Sequence, residues 1–230
     1  MKKILLTILP VLLLTILTAC YDDNKDEVEG YNPLVFFTYT TGGENLATVT
    51  DCRLDAKNVV IPPTVNVDGK DYTVTAIYEE TFLNHTNLQS VTFPRTLTEI
   101  GDRAFQGCTR LKSLVVPAQV SLGTAVFRGS GLVNVEVEEG VTVLPNQSFC
   151  ECTSLSSVRL PSTLTDIKYM AFSNCLELKD VTDLATTPQR INIGGWPQQH
   201  KNATLHVPTG CLKAYDSWRE YFKTIVDDAQ

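Results

Sequence analysis

The sequence predicts a β-strand-rich repeat solenoid, and three observations predict it. Phenylalanines recur at Phe82, Phe105, Phe127, Phe149 and Phe172, with spacings of 23, 22, 22 and 23 residues. Each is followed by a leucine (Leu88, Leu111, Leu132, Leu155, Leu178) and, three residues later, by Val91, Leu114, Val135, Val158 and Val181. Two residues further on come Phe93, Val116, Val137 and Leu160, with Asp183 breaking the pattern in the fifth turn. A period near 23 residues is one turn of a solenoid, and a single turn cannot bury its own apolar face; stacked turns can.

Each part of the turn has a physical reason. The L-x-x-V-x-V segment alternates, so it reads as a short strand with one face inward. Pro94, Pro117 and Pro161 close three of these strands, because proline cannot extend a ladder. Ile77, Ile100, Leu144 and Ile167 stand five residues before their phenylalanine and are expected to line the opposite wall.

The turn reading Ile100-Gly101-Asp102-Arg103-Ala104-Phe105-Gln106-Gly107-Cys108, continuing to Leu111, Leu114, Val116 and Pro117, resembles the BspA-type leucine-rich repeat. Ile167 to Cys175 repeats it, while the third turn, Phe127 to Leu132, is one residue short and lacks the cysteine. The resemblance implies a right-handed leucine-rich-repeat superhelix over residues 59–184. A β-rich cap over 31–58 would precede it, and a C-terminal cap over 185–230 would follow, with a closing strand and helix. In that helix Leu212, Tyr215, Trp218, Phe222 and Ile225 recur at helical spacing and would cover the last turn. The role of Trp196, beside Gly194-Gly195, stays open.

The N-terminus reads as an address. Lys2-Lys3 precede an uncharged run from Ile4 to Thr18, which fits a secretory signal over 1–19 and is shorter than the roughly 20 apolar residues of a membrane span. Leu17-Thr18-Ala19-Cys20 resembles the bacterial lipobox, which implies cleavage before Cys20 and lipidation of its thiol. Residues 20–30 would then be an acidic tether. Tyr21-Asp22-Asp23-Asn24-Lys25-Asp26-Glu27 reads as a solvated spacer and is also similar to the acid-rich signal that sends some lipoproteins to the outer face of the outer membrane. The expected location is the bacterial cell surface.

The chain carries net charge −7, and without residues 1–19 it has 17 basic against 26 acidic residues. Such a surface repels phosphate backbones, so nucleic acid is excluded as a partner. Catalysis is not expected. His85, His200 and His206 are scattered, and no G-x-S-x-G, P-loop or H-E-x-x-H occurs. No cofactor or metal site is expected: Cys150-x-Cys152 has no second pair at ligand spacing. Cys108, Cys152 and Cys175 share one repeat position, as buried structural thiols would. A bond between Cys152 and Cys175, or among Cys52, Cys150 and Cys211, stays open.

What remains is the strand surface. Alternation turns two columns outward: Ser90, Ser113, Asn134, Ser157 and Asp180, and beside it Thr92, Val115, Glu136, Arg159 and Thr182, with His206 continuing it. The second column is the candidate ligand face. By family resemblance it would engage a protein or matrix ligand, host molecules among the candidates. The same column also reads as a solvated face in which Glu136 and Arg159 pair across strands. Two competing functions are a glycan-binding lipoprotein, for which Trp196, Tyr78 and Tyr169 are the available platforms, and an envelope scaffold without external ligand.

Overall fold

The computed structural model describes residues 13–14, 37–118, 120–192, 194–196 and 202–229. Cys20, the acidic tether and the predicted leader, apart from Leu13–Leu14 (β1), lie outside the described residues. The chain continues with β2 (Phe37–Thr41), β3 (Leu46–Cys52), β4 (Asn58–Val60), β5 (Thr64–Val67), β6 (Lys70–Ile77), β7 (Ser90–Thr92), β8 (Glu99–Ile100) and β9 (Ser113–Val116). Then come β10 (Ser121–Leu122), β11 (Asn134–Val137), β12 (Val143–Leu144), β13 (Ser157–Leu160), β14 (Asp166–Ile167), β15 (Asp180–Asp183), β16 (Arg190–Ile191), β17 (Thr204–Pro208) and β18 (Thr224–Ala229).

These strands build the predicted solenoid. One wall carries β4 paired with β7, then a six-stranded parallel run from β9 through β11, β13, β15 and β17 to β18. The ladder is open between β7 and β9. Inward positions Leu114, Val135, Val158, Val181 and Leu205 are buried in register.

The opposite wall is split into two sheets, β1-β2-β3-β6-β8-β10 with β5 alongside, and β12-β14-β16. The split has a cause in the sequence. Gly101 N–H bonds to the Ile77 carbonyl, Gly123 N–H to Ile100 and Lys168 N–H to Leu144, each one turn back. Pro145 holds that place in the fourth turn and has no N–H to give, so β12 does not join β10. Leu122 fills the third place in this wall that the sequence pattern left vacant.

Between the walls the phenylalanines stack. Centroids of Phe82–Phe105, Phe105–Phe127, Phe127–Phe149 and Phe149–Phe172 are 4.6, 5.6, 5.4 and 5.4 Å apart. Each fully buried ring contributes roughly 1.5–3 kcal/mol. Trp196 continues the column, 4.2 Å from Phe172 and 1% exposed, which settles its role as a core residue.

The backbone around each ring is sharply bent. Two residues before it, at Glu80, Arg103, Ala125, Gln147 and Met170, φ is positive; two residues after it, Asn84, Gly107, Gly129, Glu151 and Asn174 repeat the flip. A non-glycine residue there costs about 1–2 kcal/mol. The return is turn-to-turn bonding, as in Phe82 N–H to Ala104 O at 2.8 Å and Phe127 N–H to Ser148 O at 2.9 Å.

The C-terminal end has a closing strand, β17, and a helical element, as expected, but the helix is a 3-10 helix of nine residues, Leu212–Glu220. Its buried residues are Tyr215 and Trp218. Ile225, expected on the same helix, lies instead in β18, opposite Leu205. The chain therefore makes one more turn of the sheet than its helical periodicity suggests.

Candidate ligand-binding face

Parallel pairing lines up the outward residues strand by strand. Val115 stands opposite Glu136, Glu136 opposite Arg159, Arg159 opposite Thr182 and Thr182 opposite His206. Thr92 sits on β7, across the open rung from Val115. Thr92, Val115, Glu136, Arg159 and Thr182 all border one concavity of about 820 Å³. Val115 is 48% exposed, an apolar side chain held in water on the strand next to that of Glu136.

The companion column borders the same concavity, and some of its side chains bond to the neighbouring strand. Ser157 Oγ donates to Asn134 Oδ1 at 2.7 Å, and Ser90 Oγ donates to Asn58 Oδ1 at 2.8 Å. His206 Nδ1 lies 2.7 Å from Asp228 Oδ1, and its other nitrogen 3.8 Å from Asp180.

Sequence reasoning stopped at the strand ends and missed the rim. Phe93, Pro94, Arg95, Pro117 and Glu138 also border the concavity. They follow the outward residues directly, and the prolines that end the strands were the available signal. Glu138 accepts a bond from the Ala118 N–H at 2.9 Å, which fixes the connection after β9. The rim and floor together carry Arg95 and Arg159 against Glu136, Glu138 and Asp180, a mixed field without a dominant sign.

The other features the sequence raised are placed elsewhere. Tyr78 is 54% exposed in a second concavity of about 460 Å³, bordered by residues of β3, β6, β8 and β10 on the opposite wall. Tyr169 is exposed, and Trp196, buried in the core, offers no glycan platform. Cys52, Cys108, Cys150, Cys152, Cys175 and Cys211 are free thiols. Burial pushes Cys52, Cys108 and Cys152 up to about 12, and Cys150 and Cys175 upward as well, which disfavours the nucleophilic thiolate. The turn position of Cys108, Cys152 and Cys175 is filled by His85 in the first turn and Ser130 in the third; both are buried. Among the described residues no His, Cys, Asp and Glu group of three or more converges in a metal-binding geometry.

Residues 73–192 match the family model described as BspA type leucine rich repeat region, in six copies. Among solved structures, the chain is similar to a leucine rich repeat protein of T. pallidum. Identity there is 23%, over 65% of this chain and 84% of that one, with a TM-score of 0.54. A leucine-rich repeat protein from Eubacterium ventriosum is 19% identical over 76% of this chain and 49% of that one, with a TM-score of 0.56. At these identities the likeness carries the fold. No curated protein matches the chain.

Proposed function

The chain belongs to the BspA-type leucine-rich-repeat family, and from that premise we propose that it is a cell-surface lipoprotein that binds a protein or extracellular-matrix ligand through the concave sheet face. The carrying observation is that Thr92, Val115, Glu136, Arg159 and Thr182 all border one concavity, with Val115 exposed among them. From Val115 to Thr182 a continuous parallel ladder presents the side chains one strand apart, roughly 4.8 Å, so a ligand meets them without a backbone ordering cost on the protein side. An exposed apolar side chain beside charged neighbours is the kind of patch in which truncating a few residues removes most of the binding energy.

Attachment is proposed through Cys20, held to the outer membrane by acyl chains that each contribute about 0.8 kcal/mol per buried methylene. Residues 21–30 would hold the solenoid clear of the membrane. Two measurements test the reading. Metabolic labelling with radioactive palmitate should mark the wild type and not Cys20→Ser. Protease added to intact cells should remove the protein while a periplasmic control survives; protection in an intact envelope would send the search to periplasmic partners and end the adhesin reading.

A further inference from the structure

Asp183 interrupts an otherwise apolar column. It pairs with Leu160 in the neighbouring strand, is 0% exposed, and holds the place filled by Val116 and Val137 in earlier turns. Its Oδ1 accepts from the Ala185 N–H at 3.0 Å and from Gln189 Nε2 at 2.9 Å. Its Oδ2 has one hydrogen-bond partner among the described residues, the Tyr215 hydroxyl of the 3-10 helix, at 2.8 Å. That hydroxyl is also 2.8 Å from the carbonyl oxygen of Ala185.

The proton inventory of this site is decisive. A phenol has one proton, and two acceptors compete for it if Asp183 is ionised. When the carboxyl is protonated the count closes: Asp183 donates from Oδ2 to Tyr215, and Tyr215 donates to the Ala185 carbonyl. Burial pushes the Asp183 carboxyl up to about 6, its ordinary value being 3.8. Among the described residues no cation opposes that shift. The ionisable groups acting here are Tyr215, held protonated by burial and by the carboxyl, and Cys211 beyond it. Of the flanking cations, Lys179 lies 3.5 Å from Glu177 and Arg190 donates to Asp166 at 2.8 Å.

We propose that Asp183 and Tyr215 form a proton-dependent latch that fastens the C-terminal cap to the last turns of the solenoid, closed when Asp183 is a carboxylic acid and loosened when it ionises. Closing is strongest where both docked and released states are protonated. It weakens as pH rises from the released value of about 3.8 to the docked value of about 6, and is constant above that. Release would uncover Trp218 and Phe222, which the docked cap buries against Trp196.

Hydrogen exchange of residues 204–229 in the full chain, corrected for intrinsic rates, tests this between pH 4 and pH 7.5. The wild type should lose about a hundredfold in protection across that window, the ratio set by a shift of two pH units. Asp183→Asn, whose amide donates to Tyr215 as the protonated acid does, should stay protected throughout. Tyr215→Phe should exchange quickly at both ends. The Asp183 carboxyl carbon in the wild type, followed by NMR, should titrate near 6. Flat wild-type protection, an unchanged pH profile in Asp183→Asn, or a carboxyl midpoint near 4 would each overturn the latch.

Discussion

The Cys108 sulfur lies 3.1 Å from the carbonyl oxygen of Phe82, one turn back along the solenoid. Cys152 meets Phe127 and Cys175 meets Phe149 at the same distance. The recurring cysteine is thus a hydrogen-bond donor to the bent segment around the preceding ring, small enough to sit inside the stack. Cys152 also lies 3.3 Å from Ser130 Oγ, which occupies the equivalent place in the shortened turn.

Cys152→Ala should therefore cost about 0.5–1.5 kcal/mol, because the Phe127 carbonyl loses its thiol donor while keeping the Ser130 N–H at 3.1 Å. Urea unfolding monitored by circular dichroism measures this. In the native protein a thiol reagent at neutral pH should reach Cys211 first, the one described cysteine that is partly exposed. Cys108, Cys152 and Cys175 should react only at the rate of unfolding. Rapid native labelling of Cys152 would contradict the buried-donor assignment.

Gly131→Ala should be among the most damaging single-methyl additions in the chain. The third turn is one residue short, which draws Gly131 against the turn before it, and its N–H bonds to Cys108 O at 3.1 Å. A methyl group there would run into the carbonyl oxygen of Thr109, which is backbone and cannot swing aside. The expected loss is about 2–3 kcal/mol, read as a lower melting temperature. Gly129→Ala, where a methyl would meet open space, should cost only the strain of its left-handed conformation, about 1–2 kcal/mol.

Asp166 should make stability fall in acid. Arg190 donates to its Oδ2 at 2.8 Å, Lys168 to its Oδ1 at 3.0 Å and Thr165 to Oδ2 at 2.8 Å. These bonds, Arg190 foremost, hold the carboxyl well below the usual carboxylate range. A depressed carboxylate contributes stability above its unfolded value, near 3.8, and loses it as pH falls through the folded one. The gap between the wild type and Asp166→Asn should be widest near neutrality and should narrow below about pH 4. Urea midpoints at pH 7, 5 and 3 would show it. A gap independent of pH would mean that the ion pairs contribute nothing.

The repeat was legible because stacking forces the same chemistry on every turn: a ring at Phe82 must meet a ring at Phe105. What escaped was chemistry that changed while geometry did not. Trp196 follows Phe172 by 24 residues and replaces its benzene ring with an indole, so a search for phenylalanine passes over it. His85 and Ser130 occupy the cysteine position, yet share no side-chain class with it. In the cap, Leu212, Tyr215, Trp218, Phe222 and Ile225 fit a helical period, but a tight 3-10 turn followed by a strand buries the same spacing. Pro145 could have signalled the split wall from sequence, since a missing donor breaks a ladder wherever it falls. On the candidate face, alternation yielded the columns, whereas the rim depends on how the strand-ending loops turn.

The face itself is tested by replacing what it presents. Glu136 is exposed and Arg159 partly so, and substitution at such positions changes stability little, within about 0.5 kcal/mol. The most direct measurement is surface plasmon resonance of the wild type and a Glu136→Arg, Arg159→Glu double variant against a panel of immobilised extracellular-matrix proteins, with melting temperatures compared in parallel. At least one matrix protein should bind the wild type, and the double variant should bind it tenfold or more weakly at an unchanged melting temperature. Equal binding by both, or no binding to any member of the panel, would contradict a matrix ligand held on this face.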